Sequence, residues 1–207
     1  VDSSRQVIEE LCNEDERIVF FKGKTNQGVG YARHHLIQNA NGSVLAFIDS
    51  DDTWHQSKLS KQLDLIINEN YDLVVCGYSL VDSTGNRISF RKPPPTMSLW
   101  RLHLANWIPM SMAAVKTSVI GVKEMPTNRK RQDYLYWLRI FRKNPNLRYG
   151  RCEELLGIYT RRKNSLSSSK LSLIAENYKI FNKQLGYSMV VSLFFLCCNI
   201  FVAVLRR

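Results

Sequence analysis

The sequence predicts an α/β fold in which a mostly parallel sheet is flanked by helices and followed by an apolar C-terminal helix. Helix and strand patterns alternate between residues 5 and 78, which is typical of strand–helix–strand units with right-handed crossovers. The segment 187–205 is almost wholly apolar. The 207 residues suffice for one full domain and a short appendage. We therefore expect a domain over residues 1–169 and a helical, membrane-associating segment over residues 170–207.

Local patterns place the elements of the first half. The predicted order is a helix at 5–11, a strand at 17–21, a helix through residue 40, a strand at 44–48, a helix after residue 53 and a strand at 72–78. Thr53 and Gln56 form a capping box for the third helix. Its predicted apolar face consists of Leu59, Leu63, Ile66 and Ile67.

The second half is more irregular. After a turn at 82–86 and a Pro-rich connector at 91–95, the patterns predict helices at 99–105, 133–143 and 170–184 and a strand pair at 147–160. The segment 187–205 could just span a bilayer at about 1.5 Å per residue. Its polar stripe of Ser188, Ser192 and Asn199 equally favours an interfacial helix, and a core helix is the third alternative.

The strand at 44–48 runs directly into three carboxylates, Asp49, Asp51 and Asp52. A continuous apolar run predicts a strand buried on both faces, and ligands of open α/β sheets bind beyond the carboxyl ends of such strands. Clustered carboxylates repel one another unless a cation lies among them. The pattern predicts a site for a divalent metal with a phosphate or a nucleotide. The alternative is a solvated acidic turn.

The glycine-rich entry to the second helix carries Asn26, Gly28 and Arg33. A helix N-terminus of this kind can hold an anion, and a plain helix entry explains the glycines equally well. The formal net charge of +11 suits phosphate-bearing substrates or anionic lipid. The sequence lacks the aromatic–basic alternation and the zinc-finger spacing of a nucleic-acid reader, so we expect no nucleic-acid partner.

Asp49-x-Asp51-x-Thr53 after an apolar strand resembles the first motif of the haloacid-dehalogenase-like phosphatases. That resemblance implies a nucleophile at Asp49 and a general acid at Asp51. The phosphatase fold also requires a later strand that ends in a second acidic pair, and the sequence contains none. This alternative therefore ranks low.

A wider set of motifs resembles the family 2 glycosyltransferases, which are inverting enzymes of the GT-A fold. The first block is Asn26-Gln27-Gly28-x-x-x-Ala32-Arg33. The second is Phe47-Ile48-Asp49-Ser50-Asp51-Asp52-x-Trp54-x-x-x-Lys58-Leu59-x-x-Gln62. The third is Gln132-Asp133-Tyr134-x-x-Trp137-Leu138-Arg139, and the fourth is Tyr159-x-Arg161-x-x-x-Ser165-x-Ser167. Several motifs in the family's order are more specific than any one of them.

The resemblance implies a role for each matching residue. Asp51 would ligate the Mn²⁺ or Mg²⁺ that bridges the donor diphosphate, and Asp133 would be the general base. Asp49, Asn26, Gly28 and Arg33 would belong to the donor site, and Asp52 would support that site or meet the donor sugar. Gln132 stands where the family usually has Glu. On its own, without the resemblance, Asp133 is more typical of a helix N-cap than of a general base.

The opening residues Val1-Asp2-Ser3-Ser4 resemble the end of the family's second strand. Asp2 would then be a remnant of the donor-binding loop, and the family's first strand and nucleotide-base loop are missing. We expect either further sequence upstream or an inactive, truncated copy that acts at most as a membrane-associated module.

The resemblance implies transfer of a sugar from a nucleotide-sugar donor to a lipid-linked saccharide acceptor. The expected setting is cell-surface polysaccharide assembly, such as O-antigen of lipopolysaccharide, at the cytoplasmic face of the bacterial inner membrane. The apolar, basic tail would bring the domain to an anionic membrane surface, either peripherally or through a single span.

Overall fold

The structure is a computed structural model, and it describes residues 3–23, 25–120, 125–161 and 170–205. In the first half, the helices are α1 (Ser4–Glu14), α2 (Val29–Asn39) and α3 (Lys58–Asn68), and the strands are β1 (Val44–Ala46), β2 (Thr53–Trp54), β3 (Leu73–Val81) and β4 (Arg87–Arg91). In the second half, the strands are β5 (Ala113–Lys116) and β6 (Tyr149–Thr160). The helices there are α4 (Leu99–Leu104), α5 (Thr117–Ile120), α6 (Gln132–Lys143), α7 (Lys170–Lys179) and α8 (Met189–Leu205).

The six strands form one mixed sheet with the order β1-β5-β3-β6-β2, and β4 forms a hairpin with β3. Within the described residues, only β3 and β6 pair in parallel. β1 and β3 do run in the same direction, as the alternating pattern predicts. However, β5 lies between them and pairs antiparallel with both, for example Leu45 with Val115 and Val74 with Ala114. The mostly parallel sheet is therefore corrected to a mixed one.

The core lies between this sheet and α6. Residues 73–76 of β3 are buried, and so are eight of the twelve residues of α6. Trp137 and Tyr134 of α6 are among the largest fully buried side chains. Aromatic side chains remove the most apolar area from water, so α6 contributes a large part of this core.

The acidic tip follows an edge strand rather than a strand buried on both faces. β1 has only three residues and pairs only with β5 in the described part of the chain. Ile48 is 53% exposed. A strand with one neighbour leaves part of its surface in solvent, whatever the apolarity of its sequence.

Four further local predictions are wrong. Residues 17–21 join no ladder, because no described strand lies beside them. Thr53 belongs to β2 and pairs with Ile158, so α3 begins later, at Lys58. The buried residues of α3 are Lys58, Gln62 and Ile66, whereas Leu59 and Ile67 are exposed. Residues 149–160 form one long strand instead of a pair.

α8 packs against the protein with two residues of the predicted polar stripe, whereas the third, Ser188, is exposed. Ser192, Phe195 and Asn199 are its buried residues, and most of its aliphatic and aromatic side chains are exposed. Among the described helices, none is long and apolar enough to cross a membrane. The boundary predicted between residues 169 and 170 remains a prediction.

Candidate active site

The three carboxylates after β1 are held in a tight turn. The Asp52 amide donates to the Asp49 carbonyl (3.0 Å), and the Asp49 amide donates to Ser111 Oγ (3.0 Å). Arg33 of α2 forms an ion pair with the Asp49 carboxylate, and the Arg33 side chain is only 10% exposed. The turn is therefore fixed by α2 on one side and by the segment before β5 on the other.

Asp52 ties the same turn to the end of β6. Its Oδ1 accepts a hydrogen bond from the Thr160 amide (3.2 Å), and its buried Oδ2 has no hydrogen-bond partner among the described residues. Burial raises the pKa of Asp52, and the negative charges of Asp49 and Asp51 add to this effect. These contacts tie Asp52 to β6, and its predicted role in the donor site remains a prediction.

A buried polar chain supports the turn from below. Trp54 Nε1 donates to the Ser111 carbonyl (2.7 Å), and Lys58 Nζ lies 3.9 Å from the centroid of the Trp54 ring. Lys58 also donates to Gln62 Oε1 (2.7 Å), and the Gln62 amide donates to the carbonyls of Val74 and Met112. Burial lowers the pKa of Lys58 to about 8. The Trp-x-x-x-Lys-x-x-x-Gln pattern thus links the acidic tip to β3 and to the residue before β5.

Asp133 lies in the first turn of α6 and does not cap that helix. The residue before the helix is Arg131. Asp133 Oδ2 instead accepts a hydrogen bond from Asn106 Nδ2 (2.7 Å). The N-cap alternative is therefore wrong, and the Asn106 amide orients this carboxylate.

One open cavity of about 860 Å³ brings the principal predicted residues together. It is lined by Arg33, Asp49, Asp51 and Asp133. Its polar wall also includes Ser50, Tyr78, Asn106, Gln132, Tyr159 and the basic residues Arg129, Lys130 and Arg131. Residues 49 and 133, which are 84 positions apart in sequence, therefore face the same space.

Other predicted donor residues lie outside this cavity wall. Asn26 Oδ1 accepts from the Gly28 amide (3.0 Å), and Gly28 has a positive φ of 88° just before α2. Two residues later, a Cβ on Gly30 would lie 2.7 Å from the Pro126 carbonyl oxygen. These residues shape the entry to α2, and the donor-binding roles of Asn26 and Gly28 remain predictions. Asp2 lies outside the described residues.

Asn106 and Tyr159 are site residues to which the sequence assigned no role. Burial raises the pKa of Tyr159 to about 12, and the negative charges of Asp52 and Asp133 contribute next. Its hydroxyl therefore remains protonated at neutral pH. Tyr159 stands in a recognisable motif, but no pattern distinguishes Asn106 from any other surface asparagine.

The residues present fit a divalent cation that binds together with phosphate. In the described ranges, no three His, Cys, Asp or Glu side chains form a group that could hold a metal ion. Mg²⁺ is usually held by one or two carboxylates while substrate phosphates and water complete its shell. Asp51 lines the cavity, and its carboxylate is of the type that suits this arrangement.

Comparison with known proteins defines the class. Residues 1–166 match the family described as Glycosyl transferase family 2. The putative teichuronic acid biosynthesis glycosyltransferase TuaG of Bacillus subtilis is 29% identical over 183 residues, which cover 88% of this chain and 72% of TuaG. The Escherichia coli UDP-Glc:alpha-D-GlcNAc-diphosphoundecaprenol beta-1,3-glucosyltransferase WfgD is 25% identical over 167 residues, covering 80% of this chain and 64% of WfgD.

Solved structures share the fold at low sequence identity. S. aureus TarS in complex with UDP-GlcNAc superposes with a TM-score of 0.70 at 16% identity, covering 97% of this chain and 60% of the TarS chain. The Pyrobaculum calidifontis mannosyltransferase PcManGT, in complex with GDP-Man and Mn²⁺, gives a TM-score of 0.62 at 12% identity. The match covers 95% of this chain and 57% of the PcManGT chain. The predicted α/β, GT-A-like fold class is confirmed.

The chain belongs to glycosyl transferase family 2. The predicted family and the enzyme class, glycosyltransferase, are both confirmed. The phosphatase alternative is accordingly wrong, and the ion pair between Arg33 and the would-be nucleophile Asp49 agrees with that correction.

Proposed function

We propose that this chain transfers a sugar from a nucleotide-sugar donor to a lipid-linked saccharide, with inversion at the anomeric carbon, during cell-surface polysaccharide synthesis. The observation that carries the proposal is the shared cavity of Asp51 and Asp133. One carboxylate suits the metal–diphosphate of a donor, and the other suits a base for the acceptor. The names of TuaG and WfgD, which refer to teichuronic acid and to a diphosphoundecaprenol-linked acceptor, support the setting.

Asp133 is the proposed general base. Its Oδ2 is held by Asn106, which leaves Oδ1 to accept the proton of the acceptor hydroxyl as that oxygen attacks the anomeric carbon. A single displacement of this kind forms one glycosidic bond, breaks the bond to the diphosphate and inverts the configuration.

Asp51 is the proposed ligand of Mn²⁺ or Mg²⁺, which when bound would neutralise charge on the departing diphosphate. The ion pair with Arg33 would hold the Asp49 carboxylate in position for the donor nucleoside. The Tyr159 hydroxyl, protonated at neutral pH, is a further hydrogen-bond donor in this cavity.

α8 supports association with the cytoplasmic face of an anionic membrane. Val190, Phe201 and Val204 are more than 60% exposed, and they leave an apolar surface on a chain with a net charge of +11. Apolar side chains that face outward can enter the interfacial layer of a bilayer while positive charge attracts anionic lipid.

The catalytic proposal is tested with the full-length protein, a panel of UDP-, GDP- and dTDP-sugars and Mn²⁺. We expect Asp133→Asn to lower turnover by about 10² or more while donor binding is retained, because a general base contributes about that factor. Asp51→Ala should weaken donor binding and abolish its dependence on metal. Asp64→Asn, at an exposed carboxylate of α3, is the matched control and should be unchanged.

Product analysis by NMR should show that the anomeric configuration is inverted. If no donor binds in the presence of Mn²⁺, the alternative of an inactive membrane-associated module replaces the catalytic proposal. Full activity in Asp51→Ala would also contradict it.

The membrane proposal is tested by sedimentation with phosphatidylglycerol vesicles. The triple change Val190→Ser, Phe201→Ser and Val204→Ser should lower vesicle binding about tenfold or more, because each side chain would lose its apolar burial in lipid. The control changes Val19, Ile67 and Ile88 to Ser, at exposed apolar positions outside α8. Equal losses in the two triple variants would overturn the assignment of the surface to α8.

A further inference from the structure

The loop before α6 carries three consecutive basic residues that the roles above do not use. Arg129, Lys130 and Arg131 all line the cavity that contains Asp51 and Asp133. The other cavity arginine, Arg33, is already paired with Asp49. The cavity therefore contains a surplus of cationic side chains on the wall next to α6.

Arg131 has a strained backbone and a buried side-chain nitrogen without a hydrogen-bond partner among the described residues. Its φ of 60° lies in the left-handed region, which costs a non-glycine residue about 1 kcal/mol. Its Nε is buried and has no hydrogen-bond partner among the described residues. The guanidinium carbon lies 5.4 Å from the centroid of the Tyr134 ring, so the side chain is held against α6. A strained backbone and an unpaired buried donor are typical of a binding position.

Contacts place this loop beside the C-terminal helices. Lys130 Nζ donates to Ser172 Oγ of α7 (2.5 Å). The Tyr134 hydroxyl, on the ring that Arg131 covers, accepts from Asn199 Nδ2 of α8 (3.4 Å). The basic loop is thus one side chain away from α8, the helix with the exposed apolar face.

The position of Asp133 decides which substrate the loop faces. In an inverting displacement, the base and the leaving group act on opposite sides of the anomeric carbon. Arg131 is two residues from Asp133 and lines the same cavity, so we take the loop to face the arriving acceptor. The diphosphate of the donor belongs on the other side, with Asp51.

We propose that the Arg129–Arg131 loop binds a phosphate of the acceptor, so that the acceptor carries a phosphate close to the sugar that receives the new residue. This inference rests on the proposed function. The name of WfgD already describes a saccharide on a lipid diphosphate, and the inference adds the residues of this chain that would bind such a phosphate. Arginine is suited to this role because its planar fork forms two parallel hydrogen bonds to phosphate oxygens.

The test measures binding of undecyl diphosphate below its micelle concentration by calorimetry, without vesicles and without divalent metal. Undecyl maltoside provides the same chain with an uncharged head. We expect Arg129→Gln with Arg131→Gln to weaken diphosphate binding at least about tenfold, because each charged hydrogen bond is strong, and to leave maltoside binding unchanged. Arg87→Gln with Arg91→Gln on β4, outside the cavity wall, is the matched control.

Arg131→Gly separates binding from folding, because glycine accepts a positive φ without strain. We expect this variant to retain or raise its melting temperature and still lose affinity for undecyl diphosphate. A loss of both affinity and melting temperature would indicate a structural role for Arg131 and overturn the proposal.

Three other results would also overturn it. Unchanged diphosphate binding in the double variant would remove the loop from any phosphate site. An equal loss of UDP–Mn²⁺ affinity would place the loop in the donor site. An equal loss of phosphatidylglycerol vesicle binding would make the loop a headgroup-binding surface. If the unmodified protein fails to bind any nucleotide with Mn²⁺, the proposed function fails instead, independently of the loop.

Discussion

Helices α6 and α8 turn opposite kinds of surface toward the protein. In α6, Trp137 and Leu138 are fully buried and Asp133 faces the cavity. In α8, Ser192 and Asn199 are buried, whereas Val190 and Phe201 are exposed.

The difference shows that a helical pattern defines the two faces of a helix without deciding which one is inside. Asn199 can be buried because the protein satisfies both ends of its amide. Its Oδ1 accepts from Asn177 Nδ2 (3.0 Å), and its Nδ2 donates to the His103 carbonyl. A buried amide with partners carries little penalty.

The largest expected effect on stability comes from replacing a buried aromatic residue of α6. Trp137→Ala should lower the free energy of unfolding by about 3–5 kcal/mol, because it leaves a large cavity beneath the sheet. The matched change on α8 is Phe194→Ala, at a side chain that is 52% exposed, and we expect a loss below about 1 kcal/mol there. Urea denaturation followed by far-UV circular dichroism measures both values. Similar losses would show that α8 packs as α6 does.

α3 offers an intermediate case, because Lys58 and Gln62 lie on its buried face. The pKa of Lys58 is lowered from 10.5 to about 8 by burial, so between these values the unfolded state binds more protons than the folded state. The stability of the protein relative to Lys58→Met should therefore rise by about 3 kcal/mol from pH 8 to pH 10.5, at about 1.4 kcal/mol per pKa unit.

Melting curves of the two proteins over this pH range provide the measurement. Using the difference between them removes the contributions of groups that do not interact with Lys58. The thiol of Cys76, whose pKa burial raises to about 12, interacts with Lys58, so both proteins are compared in the Cys76→Ala background. A difference that does not vary with pH would mean that Lys58 is not a buried cation.

The smallest effect concerns the polar stripe of α8. Asn199→Leu should destabilise the protein by about 2 kcal/mol, because it removes the acceptor of the buried Asn177 amide and one of the two donors to the His103 carbonyl, which then keeps only the Tyr134 hydroxyl. Cys197→Ser, at an exposed position of the same helix, should change stability by less than about 0.5 kcal/mol. Guanidinium denaturation distinguishes the two, and a more stable Asn199→Leu protein would refute the account of the stripe.

Much of the site could be predicted from sequence because its carboxylates stand in motifs with fixed spacing. Asp49, Asp51 and Asp133 were predicted as one site, and the structure brings them to one cavity. Asn106, Ser111 and Arg131 were not assigned. Their roles depend on single hydrogen bonds or on one backbone angle, and neither leaves a periodic pattern in a sequence.

The order of most helices and strands, the family and the principal carboxylates were determined by sequence, because local periodicity and motif spacing are properties of the chain alone. The tertiary structure decided that β5 separates β1 from β3, that β1 lies at the sheet edge and that α8 buries its polar stripe. These outcomes depend on which surfaces meet and which buried polar groups find partners, and such pairings join residues far apart in the chain.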